Sequence, residues 1–274
     1  MRIHLCGVRG STPSPGSAFA RYGGHTSCVA IAHDGANAPV LVLDAGTGLR
    51  RVSRLLDGAA FRGTLLLTHL HWDHVQGLPF FAAGDRPDAE VQVFLPCGDA
   101  QSSAVEVLAR GMSPPHFPIR PDELLGSWRF EQIETGVHRF EGFRVTVADV
   151  PHKGGRTVGY RIDDGRFTMA YIPDHGPATF DTIEDEVLDL ARDADMLLHD
   201  AQHTAEEWPA RAHYGHSSAE YAVSLGIAAG VTEVVLFHHD PGRDDTELER
   251  LLTRFEDAPV KVSLAAENTI FDRA

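Results

Sequence analysis

Short runs rich in Val, Ile, Leu and Phe alternate along the chain with turn-forming Gly, Pro, Asp and Ser. In the first half, Arg2 to Val8, Ser27 to Ala32, Val40 to Leu43, Thr64 to Thr68 and Val91 to Leu95 have the length and composition of strands. Later strands are predicted at Trp128 to Ile133, Phe143 to Val150, Val158 to Ile162, Phe167 to Ile172, Met196 to Leu198, Glu233 to Phe237 and Val260 to Leu264. Helical spacing of apolar positions is rarer. It marks Gly48 to Leu56, Ala100 to Arg110, Asp181 to Arg192, Ser217 to Ala229 and Asp244 to Glu256. The order is strands, helices, then the same again. It predicts two mixed halves, each pairing a sheet with outer helices, rather than a strictly alternating parallel sheet. No repeat or low-complexity tract divides the chain, so a single domain over residues 1–274 is expected.

Composition narrows the setting. With 43% hydrophobic residues, 26 Gly and 16 Pro, the chain can bury a core and make many turns. No stretch approaches the roughly 18 to 20 apolar residues of a membrane span, so no membrane is expected as a partner. Met1 to Gly10 lacks the layout of a secretory signal, and a cytoplasmic location follows. Cys6, Cys28 and Cys97 are too few and scattered for a disulfide framework and read as buried small hydrophobes. The net charge of −15 argues against a long nucleic acid as partner and favours a small substrate. The compositional outlier is histidine, at 16 residues.

The chemistry concentrates after the strand Thr64 to Thr68, where His69, His71, Asp73 and His74 follow in six positions. In an extended segment, residues i and i+2 share a face, so His69 and His71 can point at one ion. A turn into helix then lets Asp73 and His74 reach a second. Imidazole and carboxylate without thiolate suit zinc, and admit manganese or iron.

This His-x-His-x-Asp-His run resembles the signature of the metallo-β-lactamase superfamily, and Asp44, Gly46 and Gly48 resemble the Asp-x-Gly-x-Gly loop that precedes it. The resemblance implies an α/β fold, a four-layer αββα sandwich of two mixed sheets with helices on the outer faces. It also implies two divalent metal ions and further ligands: His152, Asp174 and His238, each placed after a strand. One ion would be held by His69, His71, His152 and Asp174, the other by Asp73, His74, Asp174 and His238. His239 competes with His238 for the last place, and His238 is favoured. His175 is expected behind the ligands or exposed. Asp44 either orients a ligand or the signature loop, or is purely structural.

A second block, His199-Asp200-Ala201-Gln202 with Gly215-His216-Ser217-Ser218, resembles the ribonuclease Z branch. The opening Gly7-Val8-Arg9-Gly10-Ser11 and Gly23-Gly24-His25-Thr26-Ser27 resemble its small-substrate phosphodiesterase relatives. His216, Asp200 and Asp73 are therefore the candidate catalytic residues. A bridging hydroxide between two ions about 3.5 to 4 Å apart would attack phosphorus, and His216, held by Asp200, would protonate the leaving group. Ser217 would cap the helix that follows, whose positive end adds to the site. The chain lacks the long, basic, glycine-rich insertion that grips transfer RNA, so the expected substrate is a small phosphodiester such as a cyclic nucleotide. His116 and Phe117, in the proline-rich loop Gly111 to Pro121, are candidates to touch the base, although the loop reads equally well as a plain surface connection. Relatives that form dimers imply a homodimer. Competing readings are hydrolysis of a lactone, thioester or β-lactam, and a non-hydrolytic role similar to the coenzyme PQQ synthesis protein B group.

Overall fold

In the computed structural model, which describes residues 1–98 and 101–272, two seven-stranded sheets lie face to face. The first contains β1 (Arg2–Gly7), β2 (Cys28–Ala32), β3 (Leu41–Leu43), β4 (Arg62–Leu66), β5 (Glu90–Leu95) and β6 (Ser127–Gln132). The second contains β7 (Gly136–Phe140), β8 (Phe143–Asp149), β9 (Val158–Asp163), β10 (Thr168–Ile172), β11 (Met196–Asp200), β12 (Glu233–Phe237) and β13 (Lys261–Leu264). The final strand, β14 (Ile270–Asp272), returns to the first sheet and pairs antiparallel with β1. Both sheets are mixed: β3 to β6 run parallel, as do β10 to β13, and the remaining neighbours are antiparallel.

Residues such as Ile3, Leu5, Ile31, Leu43 and Leu66 of the first sheet meet Val145, Ile162, Tyr171, Leu198 and Phe237 of the second in one core between the sheets. The helices α1 (Leu49–Leu55), α2 (Trp72–Val75) and α3 (Ala104–Ala109) belong to the first half. The helices α4 (Asp185–Ala191), α5 (Trp208–Arg211), α6 (Ala219–Ala229) and α7 (Asp245–Leu252) belong to the second. Val42, Leu65 and Val91 pack outward with Leu49 and Val52 of α1, while Ala170, Leu197 and Leu236 pack outward with residues of α4, α6 and α7. Central strands covered on both faces read as near-continuous apolar runs, as β2, residues 196–198 of β11 and residues 234–237 of β12 do. Fully burying one such Leu or Val side chain is worth roughly 1.5–3 kcal/mol. This is the four-layer αββα sandwich, and every strand predicted from the apolar runs is present.

The departures have physical causes. The edge strand β7 is half exposed and carries His138 and Arg139, so it has no apolar run to reveal it. Three-residue β14 is too short to show a period, and its return to the first sheet crosses the division into halves. Helix α6 starts at Ala219 rather than Ser217, because Ser218 is the cap: its hydroxyl accepts the Tyr221 N–H at 3.1 Å. Ser217 instead donates to the carbonyl of His175 at 2.8 Å. Helix α4 starts at Asp185, four residues later than Asp181, with Glu184 still extended. The predicted helix Ala100 to Arg110 is realised as α3, capped reciprocally by Ser103 and Glu106, and Ala100 lies outside the described residues. No helix among the described residues is long and apolar enough to cross a membrane.

Candidate metal centre

Six strand ends deliver the site. Asp44 follows β3, His69 to His74 follow β4, His152 follows β8, Asp174 follows β10, Asp200 ends β11 and His238 follows β12. Placing polar groups just past strand ends lets the sandwich hold them rigidly while the strands themselves remain apolar. The chain stays extended through His69 and His71, and His71 flanks the single turn of α2 that carries Asp73 and His74 inward.

Asp44 sits beneath this turn in a left-handed conformation, φ 58°. Its carboxylate accepts the Thr68 N–H at 2.7 Å, the Thr68 hydroxyl at 3.0 Å and the Tyr171 hydroxyl at 2.9 Å. It also takes Nδ1–H of His74 at 2.8 Å, which leaves His74 Nε2 facing the site. Asp44 therefore orients both a candidate ligand and the signature loop. Two further histidines are fixed in the same way: His152 Nδ1–H donates to the Gly215 carbonyl at 2.6 Å, and His69 Nδ1 lies 3.1 Å from the Thr68 hydroxyl oxygen.

The side chains form two adjoining clusters, His69, His71, His152 and Asp174 on one side, and Asp73, His74 and His238 on the other. Asp174 stands between them. Its Oδ2 lies 3.6 Å from His69 Nε2 and 3.5 Å from His152 Nε2, whereas its Oδ1 lies 3.0 Å from His74 Nε2 and 3.2 Å from His238 Nε2. Asp73 Oδ2 closes the second cluster, 3.2 Å from His238 Nε2 and 3.4 Å from His74 Nε2.

Burial holds His69 well below the ordinary histidine range, assisted by the charge of His74, and burial likewise lowers His71 and His152. These imidazoles are neutral and present lone pairs, the form that ligates. Burial works against ionisation of Asp174 and Asp73, but interactions with His238 and His74 outweigh it and hold both carboxylates below the ordinary range. His74 goes the other way: burial lowers it, and Asp174, Asp73 and Asp44 together overcome that and raise it. His69 Nε2 is buried and has no hydrogen-bond partner among the described residues. Such an orphaned atom, beside ionised carboxylates and neutral imidazoles, fits divalent cations.

His216 follows Gly215, which holds φ 88°, and donates Nδ1–H to Asp200 Oδ2 at 2.9 Å. Burial alone would lower His216, but Asp200, with help from Asp174 and Asp73, pushes it up to about 9. Asp200 also accepts the N–H groups of His175 at 3.1 Å and Gln202 at 3.0 Å. The His216 ring centre lies 4.9 Å from that of His238 and 5.1 Å from that of His152. His216 is also within ligand reach of Asp174 and His238, but its Nδ1 is committed to Asp200.

His239 and His175 turn away. His239 Nε2–H donates to the Ala265 carbonyl at 2.9 Å, and burial pushes this histidine down to about 3. His175 is buried behind Asp174, its ring between His199 at 3.0 Å and Glu184 at 3.2 Å. Several contributors carried no role in the sequence reading. The N–H of Ser11 donates to Asp73 Oδ2 at 2.7 Å, and Gly10 leaves room for His238, whose Nδ1 would lie 2.3 Å from an added Cβ. The one available signal was their place in the glycine-rich opening of the chain; Thr68 and Tyr171 gave none.

Beside His69 and His71 opens a cavity of about 850 Å³ bordered by Trp72, Phe80, Met112, His116 and Phe117. Trp72 is 78% exposed and Phe80 58%, unusual for such large apolar groups. Phe80 and Phe117 meet edge to face, with ring centres 6.0 Å apart. The proline-rich loop therefore borders the cavity.

The family model described as "Beta-lactamase superfamily domain" matches residues 40–239. A ribonuclease Z of Listeria innocua serovar 6a is 26% identical over 255 residues, covering 73% of this chain and 79% of that protein. Among solved structures, the metallo-beta-lactamase fold protein YhfI from Bacillus subtilis matches with a TM-score of 0.72 at 16% identity, over 98% of both chains. A diphosphatase from the PhnP family matches with a TM-score of 0.68 at 18% identity, over 98% of this chain and 96% of its own. At such identities the two structures speak for the fold alone. The family match spans the run His69 to His74 and reaches past His238, and the chain belongs to the metallo-β-lactamase superfamily of metal-dependent hydrolases.

Proposed function

We propose that this chain is a dinuclear phosphodiesterase that hydrolyses a small phosphodiester such as a cyclic nucleotide. The observation that carries the reading is the His216–Asp200 pair, 2.9 Å apart and stacked against His238 at the rim of the clustered ligands. A buried, carboxylate-held imidazolium suits protonation of an alkoxide leaving group.

In this reading His69, His71, His152 and Asp174 hold one ion and Asp73, His74, Asp174 and His238 the other, with zinc as first choice. Bound there, the two ions would acidify water toward neutral pH and neutralise phosphoryl oxygens. Asp44, Thr68 and Gly215 keep the ligating nitrogens aimed inward. Asp200 fixes the tautomer of His216 and keeps its proton available on the site side. The cavity edged by Trp72, Phe80 and Phe117 receives the base, since every nucleobase offers a face for stacking.

The charge of −15 supports a small substrate over transfer RNA, even though the curated relative is a ribonuclease Z. We place the activity in the cytoplasm and in a homodimer; light scattering after size-exclusion chromatography tests the latter. The function is tested by metal analysis together with turnover of bis-p-nitrophenyl phosphate, 2′,3′- and 3′,5′-cyclic nucleotides, a lactone and nitrocefin. Two ions per chain with phosphodiester turnover alone is the expected result. Turnover confined to lactone or nitrocefin overturns the phosphodiester assignment, and inert protein lacking metal supports a binding role instead.

A further inference from the structure

Ser11 occupies a left-handed backbone conformation, φ 60°, that a non-glycine residue adopts only at a cost. Its N–H donates to Asp73 Oδ2 at 2.7 Å, and that same oxygen lies 3.2 Å from His238 Nε2. The residue is nevertheless exposed, so a molecule approaching the second cluster can touch it. Its hydroxyl oxygen accepts Nε2–H of Gln202 at 2.9 Å, and among the described residues the hydroxyl donates to none. Gln202 is not a loose partner. Its N–H donates to Asp200 Oδ1 at 3.0 Å, and its side chain is buried. One short segment therefore sets both the Asp200–His216 pair and the Ser11 hydroxyl. With one lone pair of Ser11 already used, the remaining hydrogen is free to serve something not supplied by the chain.

We infer that the Ser11 hydroxyl donates a hydrogen bond to a non-bridging oxygen of the substrate phosphoryl group, on the Asp73–His238 side of the centre. The inference rests on the phosphodiester reading above. In that pose the phosphoryl group lies between Ser11 on one flank and His216 on the other, with two donors from opposite ends of the chain. As charge gathers on the phosphoryl oxygens in the transition state, a donor held there by a strained backbone needs no reorganisation to meet it. This makes Ser11 a catalytic residue for phosphodiesters and gives the strain at its φ a use.

Ser11→Gly is the informative variant, because glycine accepts the backbone angle, keeps the N–H on Asp73 and removes the hydroxyl together with Cβ. Ser11→Ala serves as the second variant, retaining Cβ. With zinc-loaded protein and bis-p-nitrophenyl phosphate, kcat is expected to fall about a hundredfold to a thousandfold in both. Zinc content stays near wild type, which a role confined to supporting Asp73 would not produce. Calorimetric titration of inorganic phosphate should show correspondingly weaker binding to Ser11→Gly. Wild-type kcat and phosphate affinity in Ser11→Gly overturn the inference while leaving the phosphodiester reading intact. Loss of zinc in both variants also overturns it, assigning Ser11 to the support of Asp73. A wild-type protein that is inert toward every phosphodiester, yet turns over a lactone, removes both.

Discussion

Tyr171 of the second sheet donates its hydroxyl at 2.9 Å to Asp44, just past the end of β3 in the first, a hydrogen bond that links the two sheets beneath the candidate metal centre. The same carboxylate holds His74 and Thr68, so one side chain ties sheet packing to ligand orientation. Tyr171→Phe keeps the ring and removes the donor from a buried, charged acceptor. A loss of about 1.5–3 kcal/mol in unfolding free energy is expected, measured by urea denaturation, with zinc still bound. Unchanged stability would show that Thr68 and His74 satisfy Asp44 without it.

Among the described residues, Asp174 is the one carboxylate that faces both clusters, through Oδ2 toward His69 and His152 and through Oδ1 toward His74 and His238. Asp174→Ala should reduce bound zinc to below one ion per chain. Asp73→Asn, which touches the second cluster alone, should retain about one. Atomic emission on dialysed protein reads both, and two ions in Asp174→Ala would contradict the shared-carboxylate arrangement.

His216 should separate chemistry from metal binding. His216→Ala is expected to lower kcat for a phosphodiester at least about a hundredfold, in line with loss of a general acid, while zinc content stays near two. Lost metal, or intact turnover, rules the role out.

The same residue gives a pH dependence to the chelator-stripped protein. Asp200 raises folded His216 from 6.5 to about 9. Its stabilisation is fully present below pH 6.5 and is lost as pH rises through about 9, and the raised His74 acts in the same direction. Unfolding free energy of stripped protein should therefore fall between pH 6.5 and 9.5, by up to about 3 kcal/mol from His216. In His216→Gln this part of the slope should vanish; a slope equal to wild type would assign it elsewhere.

Phe117→Ala tests the cavity. KM for a cyclic nucleotide should rise roughly tenfold, while bis-p-nitrophenyl phosphate, which has no nucleobase to place, is affected less. Equal effects on both substrates would argue against a base at that wall.

The fold and the ligand cluster were legible for a common reason: the strands are apolar because they are covered on both faces, and the polar residues immediately after them have no packing role to fill. His69 to His74 could be recognised within six positions, whereas His152, Asp174 and His238 entered only through the resemblance to the metallo-β-lactamase superfamily, each placed after a readable strand. What could not be read belongs to residues whose meaning is purely spatial. Thr68 and Tyr171 look like ordinary strand residues until Asp44 is placed between them. Ser217 and Ser218 are chemically identical, and only backbone geometry decides which one caps α6. His238 and His239 are distinguished by a left-handed turn at His238, φ 56°, that sends the two rings in opposite directions.

The spread of the centre along the chain also bears on how the protein reaches its working state. Asp73 and His238 approach within 3.2 Å although 165 positions separate them, and β12 must be seated before His238 arrives. A growing chain emerging from the ribosome would expose the local run His69 to His74 long before its distant partners exist. Under the proposed ligand assignment, a cation meeting that run alone would find only part of its coordination. The second cluster is complete only when the two sheets have closed on each other, so its assembly belongs to the long-range contacts of the fold rather than to the local run.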